Sequence, residues 1–173
     1  MNLEVIYNEV KREIPTISHG WFSEVYFGFI SFIMGNVPHA CETFQASLSR
    51  DSSNAEIHSF LGYIYFKEGK YFDARISLER SIEIDPYFYG NYGLLITCYK
   101  KLNQFEHIVE IAERGLEHFP QDWCLLMELA HTLAVLERTD HIHEILKTAI
   151  SSLSKLLPEG KKKRKYYKKL DLI

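Results

Sequence analysis

The chain has 173 residues and a net charge of −3, a length that suits one domain and at which roughly two-thirds of the unfolded chain's surface is buried on folding. The acidic balance argues against non-specific nucleic-acid binding by the body of the chain, and Cys41, Cys98 and Cys124 have no metal-ligand or redox spacing, as expected in a reducing cytoplasm. The N-terminus does not read as a secretory signal, and no apolar run approaches the ~20 residues of a membrane span, so a cytoplasmic protein without membrane contact is expected.

Leu3, Ile6, Val10 and Ile14 recur at three- and four-residue steps before Pro15 and predict an amphipathic helix within residues 1–20. Beyond it, residues 21–34 are apolar almost all round, with Phe22, Val25, Tyr26, Phe27, Phe29, Ile30, Phe32 and Ile33. A helix with no polar face needs cover on every side. The N-terminal helix is therefore expected to cap it or to enter the groove beside it.

Residues 55–88 carry Leu61, Gly62, Tyr65, Gly69, Tyr71, Ala74, Leu78, Ser81 and Pro86. The same register recurs 34 residues later in Tyr92, Leu95, Ile96, Tyr99, Asn103, Phe105, Ile108, Ala112, Gly115 and Pro120. It extends upstream to residues 21–54 and downstream to 123–156, which gives four copies, 21–54, 55–88, 89–122 and 123–156. Within the second copy, Ile57, Phe60, Leu61, Ile64 and Tyr65 follow one helix face. Gly69 supplies the turn residue able to take a positive φ, and Pro86 stops the second helix. Gly62 and Ala74 are small where the two helices cross. In the fourth copy Asp140 is the expected N-cap of a helix bearing Ile142, Ile145, Leu146, Ala149, Ile150 and Leu153.

This pattern resembles the tetratricopeptide repeat, a helix-turn-helix unit of that period. The resemblance covers residues 21–156, and it implies an all-α α-solenoid of stacked helix pairs. The outer copies depart from it at Ser31, at Ser52 and at the missing last Pro, as the ends of an array are expected to. In size and arrangement the chain is also similar to the tetratricopeptide chaperones of bacterial type III secretion.

The resemblance implies that the first helices line a concave groove that binds a protein or peptide partner, and that the protein is an adaptor, a scaffold or a chaperone-like receptor. Carried over position by position, the groove residues are Phe22, Val25, Phe29, Ser59, Tyr63, Phe66, Lys67, Gly93, Thr97, Lys100, Met127 and His131. Gly90 and Gly93 have two readings: a ligand backbone approaches closely there, or neighbouring helices crowd the site. The Lys and Asn clamp of repeats that grip chaperone C-termini is absent, since the matching positions hold Val25, Phe29, Phe60, Gly90 and Leu94. An amphipathic helix or extended apolar peptide suits the groove better. The apolar first copy is equally open to self-association into a homo-oligomer.

Residues 157–173 form a basic extension, and its part 161–173, where Lys161, Lys162, Lys163, Arg164, Lys165, Lys168 and Lys169 stand against one acid at Asp171, amounts to +6. The rest of the chain is left at −9. Such a tail has three readings: a nucleic-acid contact in which Tyr166 and Tyr167 stack on bases, a nuclear import signal, or a solubilising segment that offsets the acidic body. No nucleophile–base pair, paired carboxylates or phosphate-cradling loop is recognisable, so neither catalysis nor a cofactor is expected. His141 and His143 are two apart and diverge on a helix, so no metal site is expected either.

Overall fold

The structure is a computed structural model that describes residues 5, 8, 9, 12 and 21–156. The capping role expected for residues 1–20 and the basic extension 157–173 fall largely or wholly outside the described residues. All the regular structure described is α-helical. The helices are α1 (Trp21–Ile33), α2 (Val37–Arg50), α3 (Ala55–Lys67), α4 (Tyr71–Ile84), α5 (Tyr89–Lys101), α6 (Phe105–His118), α7 (Trp123–Val135) and α8 (Ile142–Leu156). The chain divides into two compact units, Met1–Cys98 and Tyr99–Ile173, with the division inside α5.

Short polar side chains set the helix starts. Asn36 accepts from the His39 amide at 3.3 Å, Asn54 from Ile57 at 3.0 Å and Asp122 from Leu125 at 2.8 Å, each satisfying an amide that the helix leaves without a partner. The second helices of the first three copies end alike. Asp51 N donates to Ser47 O at 3.1 Å, Asp85 N to Ser81 O at 2.9 Å and Phe119 N to Gly115 O at 2.8 Å. Pro86 and Pro120 then follow directly on the caps Asp85 and Phe119.

After the first helix of each copy the chain turns at a residue of positive φ: Gly35 at 82°, Gly69 at 74°, Asn103 at 56° and Glu137 at 56°. The residue after it donates back to a carbonyl five earlier, Asn36 to Ser31, Lys70 to Tyr65, Gln104 to Tyr99 and Arg138 to Leu133, always at 2.9 Å. This is the Schellman closure of a helix C-terminus, and it favours glycine because a Cβ crowds the left-handed conformation.

Helix α8 corrects one expectation. It starts at Ile142, and His141 rather than Asp140 precedes it, at φ 65°. The His141 carbonyl accepts from Ile145 N at 3.1 Å, which is the first bond of the helix, so the cap position lies one residue later than the side-chain chemistry of Asp140 predicts.

In the first unit α1 packs on α2, α2 on α3, α3 on α4 and α1 on α3. A core of Val25, Ala40, Phe44, Ile57, Leu61 and Ile64 fills the space among them. The crossing depends on missing side chains. A methyl group at Gly62 would lie 2.6 Å from Leu78 Cγ, and one at Gly28 would collide with the ring of Phe44. A buried polar chain adds to this packing: Ser59 Oγ donates to Asn91 Oδ1 at 2.8 Å, Asn91 Nδ2 to Ser81 Oγ at 2.9 Å, and Ser81 Oγ to the Ala55 carbonyl at 2.7 Å. In the second unit α6 packs on α7 and α7 on α8, around Ile108, Ala112, Leu125, Leu129 and Ala149.

Candidate functional site

The residues expected to line a groove divide between the two units. In the first unit, α1 presents Tyr26, Phe29 and Ile33, which are 45%, 38% and 50% exposed, and α3 presents Tyr63 at 37%. On α1 those three stand at i, i+3 and i+7, one face of the helix. Phe29 meets Phe60 at 5.1 Å between ring centroids, and Phe60 stacks on buried Phe44 at 5.8 Å. Phe32 meets Tyr63 edge-on at 5.8 Å. Phe29 and Tyr63 are therefore braced by half-buried rings that pack against the core, which limits the freedom they would lose on gripping a ligand. Lys67 Nζ stands 5.7 Å from the centroid of the Tyr63 ring, within cation–π range.

Other candidates from the first unit sit elsewhere. Val25 belongs to the core cluster and is only 6% exposed, so it does not line an open face; its side chain is taken up between α1 and the helices beneath. Phe66 is half-buried and turned toward Tyr71 of α4, with centroids 5.8 Å apart. Ser59 is occupied by Asn91. For Phe22 the helix is described but the side chain is not. Gly90 and Gly93 are exposed, and a methyl group at either would meet no atom within 4 Å, so crowding by neighbouring helices does not account for them. Thr97 Oγ1 donates to the Gly93 carbonyl at 2.9 Å, one turn back on α5.

In the second unit, Lys100, Trp123, Cys124, Met127, Glu128 and His131 line an open cleft of about 440 Å³. Three of the predicted residues, Lys100, Met127 and His131, thus come together. Lys100 Nζ donates to Glu128 Oε2, which partly offsets its charge, and Met127 lends a flexible, polarizable wall that fits irregular apolar groups.

A further exposed pair escaped the sequence reading. Phe72 and Ile76, one turn apart on α4, are 57% and 46% exposed. Ile76 borders a second cleft of about 380 Å³, shared with Leu48, His58, Leu61, Tyr65 and Arg80. The available signal was their register: both fall off the buried face set by Ala74, Leu78 and Ser81.

Reactive chemistry is not evident in the thiols. Burial pushes the Cys98 thiol up to about 11, and burial followed by the Glu68 carboxylate raises that of Cys41, so both stay protonated and poorly nucleophilic near neutrality. Cys41, Cys98 and Cys124 form no disulfide among the described residues. His141 Nδ1 lies 3.9 Å from Glu144 Oε2 with both side chains exposed. Among the described residues no group of three His, Cys, Asp or Glu is placed to hold a metal ion, and no helix is long and apolar enough to cross a membrane. Residues 161–169 lie outside the described residues.

Comparison with known proteins agrees with this architecture. Residues 55–88 match the tetratricopeptide-repeat family model. Among solved structures, a crystal structure of MamA superposes with a TM-score of 0.73 at 16% identity, covering 88% of this chain and 90% of that one. The MamA RS-1 ArsTM double mutant gives 0.72 at 15% identity, covering 91% and 89%. Comparison with curated proteins returns no match. At these identities the structural likeness is one of fold. The chain contains a tetratricopeptide repeat at residues 55–88, and its fold is the all-α, stacked helix-pair fold of tetratricopeptide-repeat proteins.

Proposed function

We propose that this chain is a non-catalytic protein-interaction module, an adaptor or scaffold that holds an apolar segment of a partner protein against the first helices of its repeats. The observation that carries the reading is the exposed face of Tyr26, Phe29, Ile33 and Tyr63, with its rings braced from below by Phe60 and Phe32. Contiguous apolar exposure of this kind marks an interaction surface, and rigid aromatic anchors contribute most where binding energy concentrates. A partner helix with apolar side chains at i, i+3 or i+4, and i+7 matches the spacing on α1. The cleft around Met127 and His131 is a second place for a partner side chain. Cysteines outside disulfides at Cys41, Cys98 and Cys124 accord with a reducing, cytoplasmic setting.

Affinity purification from the native cell, followed by mass spectrometry, identifies the partner and then tests the face. Phe29→Glu and Tyr63→Ala are each expected to weaken capture by about 2 kcal/mol, some thirtyfold in Kd, with the helical circular dichroism unchanged. Retention of the partner by both folded variants would remove the face from the reading.

A further inference from the structure

The outward face of α6 has an unusual composition. Glu106, Glu110, Glu113 and Glu117 are all exposed, and at 3.6 residues per turn they fall within roughly 60° of arc and run about 16 Å along the helix. Ile108, Ala112 and Gly115 occupy the opposite, buried side. Carboxylates three and four residues apart repel one another and weaken a helix. Glu106 is paired with Arg138 at 3.0 Å, whereas no ion pair among the described residues involves Glu110, Glu113 or Glu117. The negative end of the helix dipole lies beside Glu117 and adds to the potential there.

A second observation bears on which segment is within reach of this face. Lys155 Nζ, in the last turn of α8, donates to Gln121 Oε1 at 3.1 Å, which holds the end of α8 against the turn that follows α6. Leu156, the last described residue, adjoins Lys155 and so lies near the turn that follows the Glu117 end of the stripe. Residues 157–160 reach at most about 13 Å, and residues 161–169, fully extended, at most about 30 Å, enough to run the length of the stripe. Those nine positions carry seven basic side chains. We propose that the outward face of α6 is the docking surface for the chain's own basic segment, residues 161–169, which binds it by charge and is released by salt or by a competing polyanion. Tethering makes this occupant stronger than a foreign basic peptide, because a short linker holds it at millimolar effective concentration. Docking also withholds the lysines from nucleic acid.

The test uses the full-length chain and its E110Q/E113Q/E117Q variant, with tryptic cleavage within residues 161–169 followed by mass spectrometry. When opening is fast, cleavage tracks the undocked population. At about 20 mM salt the wild-type tail is expected to be cut about tenfold more slowly than the variant's, and at about 0.5 M salt, where screening is strong, the difference disappears. Trypsin's own response to salt cancels in the ratio. Equal rates at low salt would overturn the proposal. Protection that rises with protein concentration would overturn it too, by placing the tail on a second copy. A complementary variant leaves the folded body untouched: in K161Q/K162Q/K163Q the amide resonances of Glu113 and Glu117 are expected to shift from their wild-type positions, and identical spectra would refute docking.

Discussion

Residues 55–88 and residues 123–156 make the same hairpin of helices from different local chemistry. In the earlier copy the turn residue is Gly69, at φ 74°, and α4 begins two residues after it. In the later copy Glu137 occupies the equivalent turn at φ 56°, and α8 does not begin until Ile142, after a second left-handed residue, His141, at 65°. Yet the closing hydrogen bonds, Lys70 to Tyr65 and Arg138 to Leu133, have the same 2.9 Å length. The helix crossing differs as well, since Gly62 is a gap filled by Leu78 whereas the equivalent Ala130 carries its own methyl group into the core at 3% exposure. What the repeat preserves is a hydrogen-bonded reversal and a buried seam. Glycine is the least strained way to make the reversal, and the fourth copy does so at a cost.

The largest effect should come from breaking the feature peculiar to the earlier copy. Gly62→Leu forces side-chain atoms into space that Leu78 Cγ already occupies 2.6 Å from the first added carbon, and it is expected to destabilise the chain by about 1–3 kcal/mol. Thermal unfolding followed by circular dichroism reads this as a midpoint lowered by several degrees. The double variant G62L/L78A should recover part of the loss, because it removes the obstructing side chain. An unchanged midpoint for Gly62→Leu would mean that this crossing yields easily and that the two copies do not differ there in any way that matters.

The same comparison shows what a sequence makes legible. The 34-residue period, the turn at Gly69 and the stops at Pro86 and Pro120 are readable because each rests on a local steric rule: missing Cβ, missing N–H, or recurring apolar face. Glu137 is not readable in this way. Nothing in its side chain announces a positive φ, which is imposed by the hydrogen bonds of the reversal and the packing of α7 on α8. Asn91 likewise looks like a surface amide in sequence, and only the fold puts it between Ser59 and Ser81. Of the candidate groove residues, Phe29 and Tyr63 are exposed, and Lys100, Met127 and His131 border one cleft. Val25 is buried instead, because a helix apolar all round gives no signal of which side meets the core.

Relieving the strain in the later copy sharpens the contrast with a smaller effect. Glu137 is exposed, so replacing it removes no core contact, while a left-handed non-glycine residue costs roughly 1–2 kcal/mol. Glu137→Gly is expected to stabilise the chain by up to about 1 kcal/mol, after allowance for glycine's greater freedom when unfolded. The mirror substitution, Gly69→Ala, should lose a similar amount. Denaturant titrations with unchanged slope measure both. If Glu137→Gly proves neutral or harmful, the two turns are equivalent in energy as well as in hydrogen bonding, and the cost assigned to the fourth copy is wrong.

The smallest effect separates glycines that the fold needs from one that it does not. Gly69 needs its positive φ and Gly62 needs its gap, but Gly93 sits within helix α5 with open space around it. Glycine at an exposed helical position costs about 0.5–1 kcal/mol relative to alanine, so Gly93→Ala is expected to raise stability by that amount, against the trend at the other two. If the bare backbone at Gly93 serves close approach by a partner, the added methyl group should weaken partner capture while the chain becomes more stable. Stability measured by denaturant and affinity measured on the purified partner would then move in opposite directions. A folding defect cannot produce that result, because any loss of structure would lower both. Affinity unchanged in the stabilised variant would confine the partner to the aromatic face of α1 and α3 and leave Gly93 without a part in binding.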